Sequence, residues 1–153
     1  MEALPVRSPC VYTSSMANEE LVTEVKRIAA LSRGGNLDQA YLGYRDIFAS
    51  PVFMTYRAED QRQVLRLMIL AKSAPRNPSP AMLEAHRAAV PALTELVSAQ
   101  QEPVDHEMLG ICHVLLGNED SAGVIFRAGL ALERERNPGS DLCGELMKRI
   151  SMI

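Results

Sequence analysis

A chain of 153 residues, 47% of them hydrophobic and 23% charged, has the composition of one folded domain or one short repeat array, which excludes wholesale disorder. Sixteen basic against nineteen acidic residues leave a net charge of −3, which argues against the basic surface used to neutralise nucleic-acid phosphates. No apolar run reaches the roughly 18 residues needed to span a bilayer, so membrane insertion is not expected either.

The N-terminal stretch MEALPVRSPCVYTSSMA carries Pro5 and Pro9 where a signal peptide needs an uninterrupted apolar core, and Arg7 is its one basic residue. Residues 1–17 are therefore read as a flexible leader, and 18–153 as a single helical domain. A first helix begins at Asn18, an expected N-cap followed by Glu19 and Glu20, and places Leu21, Val25, Ile28 and Ala29 on one stripe. Gly34-Gly35-Asn36 stops it. The second helix, Leu37 to Ala49, carries Ala40, Tyr44, Ile47 and Phe48, and Ser50-Pro51 ends it because the residue before proline avoids the α region.

The third, Arg57 to Ser73, is apolar in nearly every direction through Val64, Leu65, Leu67, Met68, Ile69 and Leu70, so it is expected at the centre. Pro75, Pro78 and Pro80 punctuate the loop that follows, with Pro80 suited to the first turn of the fourth helix. Pro91 should kink or break that helix, since an interior proline removes one backbone donor and crowds the preceding turn. Past Glu102-Pro103, a fifth helix runs from Asp105 to Leu116, a sixth from Asp120 to Arg136, and a seventh from Asp141 to Ile150 with Ser140 as cap. There is no strand signal, so the chain is expected to be all-α.

Two of these helix pairs share a pattern. In both, a turn glycine (Gly35, Gly117) precedes an alanine by five residues (Ala40, Ala122) and an aromatic by nine (Tyr44, Phe126). The glycine suits a tight turn, the alanine allows close approach, and the aromatic is expected to fill the seam between the helices. Leu109-Gly110 and the small Gly129 extend the pattern in the later pair. It resembles the tetratricopeptide repeat family, whose consensus has Leu-Gly early in the first helix, Gly near the turn, then Ala, an aromatic and a small residue. The match covers 105–133 best and 21–48 less fully, with Arg27-Ile28 in place of Leu-Gly and no Trp anywhere. The turn glycines lie 82 residues apart, or 41 per unit with one unit between, against the family's 34. Stepping 41 from Ala40 and Tyr44 reaches Ala81 and Ala85, so the middle unit keeps small residues and lacks the aromatic. The resemblance implies a right-handed α-solenoid of about three antiparallel pairs with a C-terminal capping helix.

Chemistry-bearing motifs are few. His106 and His113 lie seven apart near Glu107 and Cys112, but zinc wants i, i+4 or CxxC spacing and three or four ligands, so no metal is expected. Cys10, Cys112 and Cys143 are odd in number, far apart and in no CxxC pair; Cys112 and Cys143 read as buried structural thiols in a reducing cytoplasm. The acidic pairs Glu19-Glu20, Glu59-Asp60 and Glu119-Asp120 all fall at expected helix starts, where they complement the dipole. Neither an enzyme nor a cofactor is expected.

What the family resemblance does imply is a concave groove lined by the first helix of each pair. Val22, Val25, Ala29 and Arg33 would come from the first pair, and Gln63, Arg66 and Leu70 from the second. Glu107, Ile111, Val114 and Leu115 would come from the third. Such a groove suits an apolar peptide or amphipathic helix of another protein. The family's basic clamp for acidic chaperone tails is missing, with Val25 and Ala29 at its places. The expectation is a cytoplasmic, non-enzymatic adaptor. In length, acidity and repeat number it is also similar to the small bacterial repeat chaperones that hold secreted translocators. The alternative is a self-associating structural or regulatory module, a homodimer whose groove is filled by its own copy.

Overall fold

Seven α-helices and one short 3₁₀ turn make up the computed structural model, which describes the backbone of residues 3–72 and 74–153 and side chains from residue 18 onward. The helices are α1 (Ala3–Arg33), α2 (Leu37–Ala49), α3 (Ala58–Ile69), α4 (Pro80–Gln100), α5 (Pro103–Leu115), α6 (Glu119–Arg136) and α7 (Asp141–Ser151). The 3₁₀ turn is Phe53–Thr55. The described residues are thus all-α, and among them no helix is long and apolar enough to cross a membrane.

Local chemistry accounts for most boundaries. Ser79 and Ser140 cap α4 and α7, their hydroxyls accepting from Met82 N–H and Cys143 N–H at 3.2 Å each. Pro80 sits in the first turn of α4, where no intrahelical donor is needed. Glu59-Asp60 and Glu119-Asp120 occupy first turns, as expected. Glu19-Glu20 do not, because α1 passes through Asn18 without a cap. The expected leader, residues 1–17, falls where no side chain is described.

Pro91 does not break α4, which runs unbroken from Pro80 to Gln100. Pro91 lies on the exposed face, as does Arg87 four residues back, so the carbonyl that loses its partner turns to solvent. The sharp corner comes ten residues later. Gln101, at φ 54°, adopts the left-handed conformation that glycine tolerates best, and Pro103 opens α5 two residues on. Gln101→Gly is expected to stabilise the protein by about 1 kcal/mol; an unchanged or lowered urea midpoint would show that Gln101 sits there without strain.

The turns after α1 and α5 are bonded alike. Gly35 and Gly117 both have φ 84°. Asn36 N–H donates to Leu31 O at 2.9 Å, and Asn118 N–H to His113 O at 2.7 Å, each reaching five residues back. The helix–helix seams, in contrast, exchange parts. Between α5 and α6 the hole is Gly110 and the knob is Phe126, whose ring fills the space a Cβ at Gly110 would take. Between α1 and α2 the knob is Ile28, on the first helix, and the hole is Gly43, where a Cβ would lie 2.7 Å from Ile28 Cγ1. Ile28 stands at the position corresponding to Gly110. Tyr44 is buried and stacks on Phe48 with ring centroids 6.1 Å apart. Phe48 in turn meets Phe53 edge-on at 5.1 Å.

Among the described residues, extensive packing occurs only between helices one or two places apart: each of α1, α4, α5 and α6 against the helix that follows it, α2 against α4, and α3 against α4 and α5. The buried alanines Ala85, Ala89 and Ala92 form a stripe on α4 that suits its close approach to α2. Polar ties also link next-but-one helices. Ser79 donates to Asp38 at 2.7 Å and Arg45 to Glu84 at 2.9 Å between α2 and α4; Arg149 donates to Glu107 at 2.9 Å between α7 and α5. The apolar interior falls into two clusters. The larger is built from α1 to α5 and the smaller from Ala122, Phe126, Leu130, Cys143 and Leu146, with Ile111 against both.

The third helix is not central. It is amphipathic, with Gln63 and Arg66 exposed and Leu67 54% exposed, while Val64, Leu65, Met68 and Ile69 are buried. Arg62 joins the buried face because Asp105, wholly buried on α5, receives its guanidinium in two parallel bonds of 2.8 Å. That pairing also raises the Arg62 pKa above its ordinary value.

Candidate functional site

Two open clefts have mainly apolar walls. The first, of about 440 Å³, lies between α1 and α3 and is walled by Leu21, Val22, Val25, Val64 and Leu67, with Lys26, Asp60 and Gln63 among its polar residues. The second, of about 420 Å³, is bounded by the end of α3, the start of α4, and the facing sides of α5, α6 and α7. Its wall includes Met68, Leu70, Met82, Ile111, Val114, Leu115, Phe126, Met152 and Ile153, with His86 and Arg149 as its ionisable residues.

These clefts bring together seven of the residues expected to line a groove. Val22, Val25 and Gln63 meet in the first, and Leu70, Ile111, Val114 and Leu115 in the second. Ala29, Arg33 and Arg66 lie in neither, with Arg33 and Arg66 exposed. Glu107 is a correction: it is buried and held by Arg149, so its carboxylate is already engaged and does not face a groove.

Sequence reasoning missed Leu67, His86, Arg149 and the C-terminal pair Met152-Ile153. Leu67 is one of the apolar residues that encircle α3 in sequence, and the others lie outside the first helices of the pairs. One available signal was the terminal Met-Ile itself, two apolar residues beyond the last expected helix.

The most informative side chain in the second cleft is His86, 1% exposed. Its Nδ1 lies 2.8 Å from Met82 O. A carbonyl only accepts, so Nδ1 carries the proton, and in the neutral ring Nε2 is an acceptor. Burial pushes the His86 pKa below its usual value, which keeps the ring neutral near pH 7. Tyr41 stands beside the ring, centroids 6.1 Å apart, without bonding to it.

Of the other candidate groups, His113 carries a buried Nδ1 with no hydrogen-bond partner among the described residues. His106 Nδ1 donates to Glu102 O at 3.0 Å. Cys112 and Cys143 are buried free thiols, and burial pushes the Cys112 pKa up to about 12, which removes its thiolate at neutral pH. Among the described residues no group of three or more His, Cys, Asp or Glu side chains is placed to hold a metal ion.

Comparison of the chain with protein-family models, with curated proteins and with solved structures finds no match.

Proposed function

We propose that the chain is a non-enzymatic scaffold of tetratricopeptide-like helix pairs that holds a segment of a partner polypeptide along its odd-numbered helices. The observation that carries this reading is the pair of apolar clefts, one between α1 and α3, the other bounded by the end of α3, the start of α4 and the facing sides of α5, α6 and α7. The matched turns at Gly35 and Gly117, and packing restricted to near neighbours in chain order, support an open array over a closed bundle. Apolar walls with few free charges suit an apolar or amphipathic segment more than an acidic tail.

The test is capture from the native host by immobilised wild-type protein, Leu67→Glu/Val114→Glu, and Val124→Glu. Leu67 and Val114 wall the two clefts and are 54% and 36% exposed, so a charge there should leave folding intact. Val124, 66% exposed on α6, lies outside both. The scaffold reading expects a partner held by wild type and Val124→Glu and lost from the double variant, with equal helicity in all three. Identical capture by all three would remove the clefts from partner binding. Light scattering addresses the self-association alternative: a dimer abolished only in the double variant would make a second copy the occupant.

A further inference from the structure

We propose that the cleft between α1 and α3 seats an amphipathic helix with acidic flanks, one carboxylate set against Lys26 and a second, two turns on, against Arg33. This rests on the scaffold reading and names the chemistry of the partner segment.

The walls decide the form of the guest. Leu21 and Val64 are buried, while Val22 on α1 and Leu67 on α3 are each more than half exposed, so apolar surface stays uncovered on both sides of the cleft. Among the described residues α1 and α3 do not pack extensively on one another, which leaves the space between them open. Both walls are helices, whose backbone donors and acceptors are spent internally. An extended segment would leave its own amides short of partners there, whereas a helix satisfies its backbone and presents only a stripe of side chains.

The charges decide its flanks. Of the two ionisable wall residues, Asp60 is held by Arg57 at 3.2 Å, but Lys26 is exposed and in no ion pair among the described residues. Nearby acids are taken: Glu24 pairs with Arg27 and Glu59 with Arg62, each at 2.8 Å. Seven residues on, close to two full turns and about 10 Å along the axis, Arg33 extends the line of Lys26 past the cleft. It too is exposed and in no ion pair among the described residues. Glu19 continues that line in the other direction and is not part of the wall. The free charge along this stretch is positive although the whole chain carries −3. A carboxylate on the guest supplies each cation with the partner it lacks, and a cation in the same place would be repelled.

The probe is a dye-labelled helical peptide with a leucine stripe and two flanking glutamates seven residues apart; its twin has lysines at those two positions. Each is titrated into the full chain and followed by anisotropy. The expected result is saturable binding of the glutamate peptide, about tenfold weaker binding of its twin, and a gap that narrows as salt is added. Lys26→Glu/Arg33→Glu should reverse the order of the two peptides at unchanged helicity, and Leu67→Glu should weaken both. No binding, equal affinities, an order unchanged in the charge-reversed variant, or binding indifferent to Leu67→Glu would each overturn the assignment. A wild-type dimer that Leu67→Glu dissociates and excess glutamate peptide does not would overturn it in favour of a second copy. The two readings fail separately. Partner capture lost in Leu67→Glu/Val114→Glu but kept in Lys26→Glu/Arg33→Glu would leave the scaffold standing and remove the acidic flanks. Charge-dependent peptide binding with capture indifferent to the clefts would do the reverse.

Discussion

Phe126→Ala is expected to lower stability by about 3–5 kcal/mol, the range for emptying a fully buried aromatic site. Phe126 is 1% exposed, and its ring occupies the space left open by Gly110 on the facing helix. The converse change, Gly110→Ala, places a methyl inside the ring's volume and should cost about 1–3 kcal/mol through overpacking. The decisive measurement is the double mutant in urea denaturation. Once the ring is gone, the alanine methyl has room, so Gly110→Ala should be neutral or mildly stabilising in the Phe126→Ala background. Additive losses would mean that the two residues do not share one space.

Asp105→Ala is expected to cost about 3–5 kcal/mol for a different reason: it strands the Arg62 guanidinium, with its side chain 9% exposed, without its buried counter-ion. Glu59 also receives Arg62, at 2.8 Å, but its side chain is 78% exposed and offers a weak substitute. Replacing both members, as Arg62→Leu/Asp105→Ala, should recover much of the loss because no charge is left buried. If the single variant unfolds at the wild-type urea concentration, the pair contributes nothing net; if the double variant is no better than the single, the cost lies in lost packing and not in the orphaned charge.

Much of the helical order was legible because punctuation in this chain is strong. Gly34-Gly35-Asn36, Ser50-Pro51, Gly117-Asn118 and Asn137-Pro138-Gly139 each coincide with the end of a helix. Of the kink or break expected at Pro91, the break does not occur, because the effect of a proline depends on whether its orphaned carbonyl is wet, a fact of tertiary burial. The central placement of α3 failed similarly. Counting apolar residues around the helix cannot reveal that Arg62 will be drawn inward by Asp105, 43 residues later, while Leu67 is left outside. Spacing shows that small and large residues alternate across each seam, but not that Ile28 on α1 would fit against Gly43 while Phe126 on α6 fits against Gly110.

The groove positions come from the family resemblance, and of them Val22 and Val25 meet in one cleft and Ile111, Val114 and Leu115 in the other. A resemblance cannot say which polar members of a face will be consumed by a neighbouring element. Glu107 is consumed by α7. His86, on α4, could be placed in the second cleft only by the packing of α4 beside α3 and α5.

Because each helix relies on companions close to it in sequence, the fold has short loops to close and little chain entropy to overcome before its first contacts form. The N-terminal helices can bury their faces against one another while the C-terminal pair is still being synthesised, and α6 and α7 then add a second apolar centre onto Ile111. Assembly along the chain is thus incremental except at α3, whose extensive partners α4 and α5 both follow it, and the cleft bounded by α7 forms once that helix docks.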